Sequence, residues 1–338
     1  MSRRPLSWLP IDPYILALVA TVALAALFPA SGAAAEAVGG VSTGAIALLL
    51  FLYGARLSTR EALDGLRHWR LHVTVLAATF VVFPLLGLVA KGLVPSVLTP
   101  ALYGGLLFLC LVPSTIQSSI AFTSIARGNV PAAICAGSFS SLAGIVLTPL
   151  LAALLLGGSA GGFSADSLVR IVAQLLVPFL AGQVLRRWVG GFLTRHKKVL
   201  GYVDRGSILL VVYTAFSDGM VQGVWHQVTP ARLAALLGVE AVLLAVMLAL
   251  TWYGAGRLGF GREDRIAIQF AGSKKSLAAG LPMASVLFGA HASLAVLPLM
   301  LFHQMQLMVC AVIAKRRAND PVPEQPAPGP RPAEPARR

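Results

Sequence analysis

Charged residues are scarce in this sequence: Asp, Glu, Lys and Arg make up 12% of its 338 residues, whereas hydrophobic residues make up 57%. A soluble globular domain carries about 25% charged residues, and the mean hydropathy here is +0.79. The composition therefore excludes a soluble protein. Apolar runs of about 18 to 25 residues, the length that crosses a bilayer as a helix, recur along the chain and indicate an all-α integral membrane protein rather than a β-barrel.

Groups that could support metal or enzyme chemistry are also few. Cys110, Cys135 and Cys310 each lie within an apolar run and lack the spacing of a metal site, so we expect them to pack as small apolar residues. No nucleophile, base and orienting acid are grouped anywhere in the chain. We therefore predict that the protein is not an enzyme and has no cofactor and no metal site.

Acidic residues are fewer than basic residues, 13 against 27, so the net charge is +14. Basic residues alone would suggest a nucleic-acid partner, but their positions indicate membrane topology instead. With ten spans and the N-terminus inside, 22 of the 27 fall on one side of the membrane. The positive-inside rule then places both termini in the cytoplasm. We predict a multi-pass protein of a bacterial-type plasma (inner) membrane, with the lipid bilayer and no nucleic acid as partner.

The apolar runs define ten predicted spans. They lie near residues 11–30, 40–55, 71–94, 100–126, 130–156, 166–188, 205–222, 231–256, 265–289 and 292–314. Spans five and ten contain similar sequences, S-L-A-G-I-V-L-T-P-L from Ser141 and S-L-A-V-L-P-L-M from Ser293. Five spans per half invert the second half relative to the first, as in secondary transporters. The predicted units are an inverted repeat at 1–158, its partner at 159–316 and a disordered, proline-rich tail at 317–338.

The ninth span contains the most unusual stretch, I-Q-F-A-G-S-K-K-S-L-A-A-G-L-P at residues 268–282. A lysine at the centre of a bilayer costs about 2.5 to 3.5 kcal/mol by insertion scales. Lys274 and Lys275 would point about 100° apart on an intact helix. The neighbouring Gly272, Ser273 and Ser276 therefore favour a broken helix that lines a cavity. Alternatively, the lysines could extend to an interface.

The fourth span contains L-V-P-S-T-I-Q-S-S-I, in which a proline precedes a series of polar residues. Proline removes a backbone donor, so this span is also expected to be discontinuous. A plain proline kink is the alternative. The polar candidates are Ser114, Thr115, Gln117, Ser118 and Ser119.

The tenth span contributes F-H-Q-M-Q-L, with His303, Gln304 and Gln306 about halfway along its apolar run. A histidine here could form a polar wall or titrate beside the crossing of the two breaks. Hydrogen-bonded packing is an equally simple interpretation. Asp218 and Gln222 close the seventh span, where they could line an entrance or serve as a solvated end of the helix.

The chain resembles the bile acid:sodium symporter family, specifically its SBF-like branch. The resemblance rests on V-P-S-T-I-Q-S-S-I-A-F-T-S-I-A-R-G-N-V-P-A-A at 112–133 and A-G-S-K-K-S-L-A-A-G-L-P at 271–282, with F-H-Q-M-Q-L behind them. It implies ten helices in two inverted five-helix repeats. The panel would consist of spans 1, 2, 6 and 7. The other six spans would form a core in which the broken spans 4 and 9 cross.

The resemblance also implies where sodium ligands would lie. The Ser-Asn pair of the family falls on Ser118 and Ser119, and its ninth-helix carboxylate falls on Gln269. Two hydroxyl positions fall near Ala132 and Ala136, which have no side-chain oxygen. A carboxylate is lost and two lysines are gained, so we expect poor sodium binding.

These features predict a secondary-active transporter of a small organic anion, with lysines of the ninth span in place of a sodium ion. The predicted substrate site combines polar residues of three spans: Ser114, Thr115, Gln117, Ser118, Ser119, Gln269, Ser273, Lys274, Lys275, Ser276, His303 and Gln304. Two alternatives stay open. One is a membrane regulator of ion (calcium) homeostasis that transports nothing, and the other is a conventional sodium-coupled symporter.

Overall fold

The computed structural model describes residues 13–56, 68–156, 165–223, 228–289 and 292–320. Within these residues the secondary structure is helical, without strands. The helices, in chain order, are α1 (Pro13–Leu27), α2 (Ala33–Arg56), α3 (Trp69–Leu93), α4 (Pro100–Leu111), α5 (Ile116–Ile125), α6 (Val130–Leu156), α7 (Ala165–Arg195), α8 (Lys197–Val221), α9 (Pro230–Arg257), α10 (Arg262–Gly272), α11 (Leu277–Phe288) and α12 (Ala292–Ala318).

Six of these helices are long and apolar enough to cross a membrane: α2, α3, α6, α8, α9 and α12. A seventh crossing is formed if α4 and α5, which are bent by 64° at the residues between them, are counted as one span. The structure thus confirms an all-helical protein with several apolar helices of membrane-crossing length. The count of ten spans stays a prediction.

Large apolar side chains cover much of the outer surface of the helices. Leu24 on α1, Leu154 on α6, Val184 on α7 and Val242 on α9 are all more than half exposed. Soluble monomers rarely expose so much contiguous apolar surface. Lipid is the environment that makes such a surface favourable, which agrees with the composition.

Helices α1, α2, α7 and α8 pack against one another and form a four-helix group beside the remaining helices. The contact between α2 and α7 is the closest, and two glycines permit it. A Cβ on Gly54 would lie 2.0 Å from the carbonyl oxygen of Phe179, and one on Gly182 would lie 2.0 Å from that of Phe51. Small residues allow such backbone contact between membrane helices.

Helix α3 contains a π-helical segment, Ala78–Val82, immediately before Phe83 and Pro84. Because proline lacks an N–H group, the preceding turn cannot keep its full set of helical hydrogen bonds. The helix is therefore locally widened before Pro84. This matters for the site because the widened segment presents the carbonyl group of Thr79 to the centre of the protein.

Two helix ends differ from the predicted spans. Helix α2 begins at Ala33, seven residues before the predicted start at 40, and α12 continues through Ala318, beyond the predicted start of the tail at 317. Residues 57–67 and 321–338, the latter most of the predicted tail, lie outside the described residues.

Candidate functional site

The first helix break separates α4 from α5. Helix α4 ends at Leu111, Val112 is extended, and α5 begins at Ile116. Pro113 has no N–H group with which to continue the helix. Gly144 on α6 allows Pro113 to approach, since a Cβ on that glycine would lie 2.7 Å from the proline ring. The backbone N–H of Ser114 donates to Ser140 Oγ at 2.9 Å, so α6 fixes the extended segment.

The second break separates α10 from α11. Helix α10 ends at Gly272, and α11 begins at Leu277 with Ser276 as its N-cap, whose hydroxyl accepts from the N–H of Ala279 at 3.2 Å. Residues 273–276 are all buried. Buried backbone groups outside a helix require other partners.

The two breaks supply these partners to each other. Ser276 N–H donates to the carbonyl oxygen of Pro113 at 2.8 Å, and Thr115 Oγ1 donates to that of Lys275 at 2.8 Å. Ser114 and Ser119 donate their hydroxyls to the carbonyls of Ala271 and Phe270, which lie in the last turn of α10 and lack helical partners. The predicted interruptions are thus both observed, and they are in direct contact.

Lys275 is fully buried, and each hydrogen bond of its ammonium group within the described residues goes to a backbone carbonyl. Nζ donates to the carbonyl oxygens of Cys110 and Val112 at 2.8 Å each and to that of Thr79 at 2.9 Å. An ammonium group has three donors, so all three are used. Two of the carbonyls belong to the C-terminal end of α4, the negative end of the helix dipole. The ring of Phe83 lies 4.2 Å from Nζ.

Gln306 on α12 holds the backbone of the same lysine. Its Oε1 accepts from Lys275 N–H at 2.9 Å, and its Nε2 donates to the Lys275 carbonyl oxygen at 2.8 Å. One amide side chain thus satisfies both backbone groups of a residue that has no helical partners. His303 lies one turn earlier, with Nδ1 2.9 Å from Gln306 Nε2.

Lys274 is equally buried but differs in its partners. Nζ donates to Ser118 Oγ at 3.2 Å and lies 4.1 Å from the centre of the Phe122 ring and 5.5 Å from that of Phe270. Aromatic faces attract a cation but use none of its hydrogen-bond donors. Two N–H donors of Lys274 therefore have no partner among the described residues.

Gln269, at the position where the resemblance places a carboxylate, is held from two sides. Its Nε2 donates to the carbonyl oxygen of Leu248 at 3.1 Å, and its Oε1 accepts from Arg317 Nε at 3.0 Å. The guanidinium group of Arg317 lies 3.1 Å from the centre of the Trp252 ring. The end of α12 thus contributes a cation to this position.

The largest of the described cavities, 1020 Å³, lies between α2, α7, α8 and the start of α5. Its charged lining is mainly basic: Arg56, Arg186, Arg187 and Lys197, with Asp204 as the acid. Asp204 is paired with Arg56 at 2.5 Å. Gln117 also lines this cavity, and the next residue, Ser118, is the partner of Lys274. Two adjacent residues of α5 therefore contact the basic cavity and the buried lysine, respectively.

A second cavity, of 270 Å³, lies toward the opposite ends of α2, α7 and α8. Its polar lining includes Ser42, Gln174, Thr214 and Asp218, and Ser285 of α11 lies across from them. Both cavities thus lie between the four-helix group and the rest of the protein, at different depths.

The structure brings together most of the predicted site residues but not all of them. Eight of them lie at the contact of the two breaks: Ser114, Thr115, Ser118, Ser119, Ser273, Lys274, Lys275 and Ser276. Gln269 lies one turn away on α10. Gln117 faces the basic cavity instead. His303 reaches the breaks through Gln306, whereas Gln304 makes no side-chain hydrogen bond within the described residues.

Two residues that matter to the geometry were not among the predicted site residues. Gln306 follows His303 by three positions, the helical spacing that places both on one face, so its role could have been predicted from the spacing. Arg317 gave no such signal, because a basic residue at the end of a span is normally explained by topology.

Comparison with known proteins agrees with this architecture. A model of the SBF-like CPA transporter family matches residues 12–319. An uncharacterised protein of Pseudomonas aeruginosa is 57% identical over 310 residues, 91% of this chain and 93% of the relative. The putative symporter YfeH of Escherichia coli K12 is 48% identical over 307 residues, 90% of this chain and 92% of YfeH.

Relatives also occur in animals. Sodium/bile acid cotransporter 7 of zebrafish, Danio rerio, is 31% identical over 274 residues, 80% of this chain and 81% of the relative. The match of the family model covers nearly the whole described part of the chain, including both breaks. The chain therefore belongs to the SBF-like CPA transporter family, a group of transporters of the bile acid:sodium symporter type and not of enzymes.

Proposed function

We propose that the protein is a secondary-active transporter of an amphipathic organic anion and that it works by alternating access. In this proposal the four-helix group is the panel, and α3 to α6 with α9 to α12 form the core. The two halves, 1–158 and 159–316, would be the inverted repeats, and the mobile interface would run between panel and core. Substrate would bind where the core presents its two helix breaks to that interface.

The observation that carries the proposal is the basic cavity next to Lys274. Its volume, 1020 Å³, corresponds to the upper end of the range for ligand pockets, about 300 to 1000 Å³. Four basic side chains and one acidic side chain line it, and the acid is already paired. An anion that enters it gains from this charge and can reach the two free donors of Lys274 through the wall formed by Gln117 and Ser118.

The second cavity supports alternating access. It lies in the same panel–core interface but toward the opposite ends of α2, α7 and α8. A small movement of core against panel would open one cavity while closing the other, as expected when a fixed site is reached from either side in turn. The asymmetry of 1020 Å³ against 270 Å³ corresponds to a state that is more open at the basic end.

Lys275 supports the absence of sodium coupling. It occupies a position surrounded by three carbonyl oxygens, the type of ligand that a bound sodium ion would need. In the proposal its ammonium group replaces that ion permanently, so the breaks are stabilised without a cation from solution. The names of relatives include both sodium and bile acid. From these names we propose the organic anion, and not the sodium ion, for this chain.

The distribution of basic residues supports the orientation proposed for the bacterial-type inner membrane. The basic cavity is lined from the ends of α2, α7 and α8 that carry Arg56, Arg186 and Lys197. The positive-inside rule assigns that side to the cytoplasm, together with both termini.

Cholate, a bile-acid anion, is a suitable probe for this proposal. We expect it to raise the unfolding temperature of the purified full-length protein saturably, because a ligand at 100 times its dissociation constant stabilises the folded state by about 2.7 kcal/mol. In proteoliposomes the same anion should show saturable uptake. A protein that neither binds nor transports cholate would contradict the proposed substrate class.

The variant Lys274→Met tests the assigned role of the lysine. It keeps much of the apolar stem but removes the charge, so cholate should bind at least about tenfold more weakly, a loss of about 1.4 kcal/mol. Lys274→Arg should restore binding only in part, since a planar guanidinium is larger than an ammonium group. Lys91→Met, at an exposed lysine of α3, is the control. Unchanged cholate affinity in Lys274→Met would remove the lysine from the site.

A further inference from the structure

A buried carboxyl group lies in α9, outside the residues described above. Glu240 is 0% exposed, and neither oxygen of its carboxyl group has a hydrogen-bond partner within the described residues. It lies ten residues after Pro230, about 15 Å along the helix, so it is deep within the protein and not at a helix end. A carboxylate without a partner in apolar surroundings is strongly disfavoured relative to the neutral acid.

The surroundings of Glu240 connect it to the helix breaks. Helix α9 is bonded to the helix that leads into the second break, because Gln269 Nε2 of α10 donates to the carbonyl oxygen of Leu248 on α9 at 3.1 Å. Helix α9 also packs against α10 and α12. The carboxyl group therefore lies on a helix that packs directly against the two helices that hold the second break, α10 at its start and α12 through Gln306.

Other ionisable groups also lie on the neighbouring helices. They are Arg70, His72 and Lys91 on α3, Arg262, Glu263, Asp264 and Arg265 on α10, and His303, Cys310, Lys315, Arg316 and Arg317 on α12. Those of α10 lie in its first turn, and the basic residues of α12 lie in its last. His303, at mid-helix, is engaged by Gln306.

We propose that Glu240 is a proton-binding site and that its occupancy is coupled to the binding of an anion at the helix breaks. A proton would then be the coupling ion of this transporter. The proton site stands on the burial and isolation of Glu240. The coupling rests in addition on the proposed function.

Electrostatics gives the direction of the coupling. When Glu240 is neutral, the positive charges of Lys274 and Lys275 act on an anion at the breaks without an opposing buried charge. When Glu240 loses its proton to the aqueous phase, a buried negative charge appears on a helix packed against the breaks and repels the anion. Anion binding and proton binding therefore favour each other, and by linkage each strengthens the other by the same factor. The transported unit is the anion together with one proton, which binds one carboxylate oxygen on one side of the membrane and leaves it on the other.

The proton site can be tested without any substrate. The full-length protein in liposomes should show, at neutral pH, the infrared carbonyl-stretch band of a protonated carboxyl group. Glu240→Gln should lose this band, and Glu36→Gln, at an exposed position of α2, should keep it. Glutamine has the size of the neutral acid, so Glu240→Gln should fold like the parent protein. Absence of the band from the parent, or its persistence in Glu240→Gln, would overturn the proton site.

The coupling is tested with cholate as the probe over a pH series. In the parent protein the dissociation constant should rise as the pH increases, by up to about tenfold per pH unit for one linked proton. Glu240→Gln should keep the affinity that the parent has at low pH and lose this dependence, whereas Glu36→Gln should behave like the parent. An equal pH dependence in parent and Glu240→Gln would overturn the coupling. Failure of cholate to bind at every pH would contradict the proposed function, and the infrared experiment would still decide the proton site.

Discussion

Lys274 and Lys275 are adjacent, identical in type and equally buried, yet their surroundings differ. Lys275 donates three hydrogen bonds to backbone carbonyls, from α3 and from the end of α4. Lys274 donates one, to Ser118, and lies against two phenylalanine rings. Burial alone does not distinguish the two residues. What distinguishes them is the number of donors that are already used.

This difference indicates separate roles for the two cations. A saturated ammonium group has nothing left to offer a ligand, but it joins α3, α4 and the second break into one unit. An ammonium group with two free donors is costly in the absence of a ligand, and an anion would satisfy it. We infer that Lys275 supports the fold and that Lys274 serves the substrate.

Replacing Lys275 by methionine should have the largest effect on stability. The change removes three charge-assisted hydrogen bonds and leaves the carbonyls of Thr79, Cys110 and Val112 without their partner. We expect a loss of about 3 to 5 kcal/mol in the free energy of unfolding, as when one partner of a buried polar pair is removed. Denaturant unfolding of the detergent-purified protein measures it.

The matched control for that variant is Lys274→Met in the same assay. It removes one hydrogen bond but also removes two buried donors that have no partner, so its cost should be at most about 1 kcal/mol. Equal losses in the two variants would mean that the contrast between the lysines has no energetic meaning. A larger loss in Lys274→Met would reverse the assignment of roles.

The sequence was sufficient to predict where the helices break but not how the breaks are joined. Pro113 cannot continue α4, and the glycine and serines around the lysines disfavour a regular helix, so both interruptions follow from local chemistry. The different roles of the two lysines do not follow from local chemistry. An angle of about 100° between neighbours applies to an intact helix, and residues 273–276 are not helical.

Long-range partners were the other limit of the sequence. Arg317 reaches Gln269 across 48 positions of the chain, and Thr79 reaches Lys275 across 196. Thr79 contributes a backbone carbonyl, and the type of side chain at that position does not indicate that its carbonyl binds a lysine. Glu240 is a single acidic residue in an apolar run, and its isolation becomes evident only when the packing around it is known. Local patterns therefore located the two helix breaks, and the fold was needed to show what each residue at the breaks contacts.

Gln306 provides a second and smaller test of how the second break is held. Gln306→Leu should cost about 1 to 3 kcal/mol of unfolding free energy, because it leaves the N–H and carbonyl groups of Lys275 without this partner. Gln304→Leu, two positions earlier on α12, is the control and should change stability by less than about 0.5 kcal/mol. If the two variants were equally stable, the amide of Gln306 would not be what fixes the lysine backbone.

Sodium should have the smallest of these effects: we expect it to leave the stability of the protein unchanged. Two of the oxygens that the family resemblance offers as sodium ligands already accept hydrogen bonds from cations: Ser118 Oγ from Lys274 and Gln269 Oε1 from Arg317. Sodium would have to displace two cations from these oxygens and approach a third, Lys275, in a medium that screens charge poorly. Unfolding temperatures in sodium chloride and in choline chloride at equal ionic strength should therefore coincide. A saturable, sodium-specific increase would show that the lysines accompany a sodium ion and do not replace it.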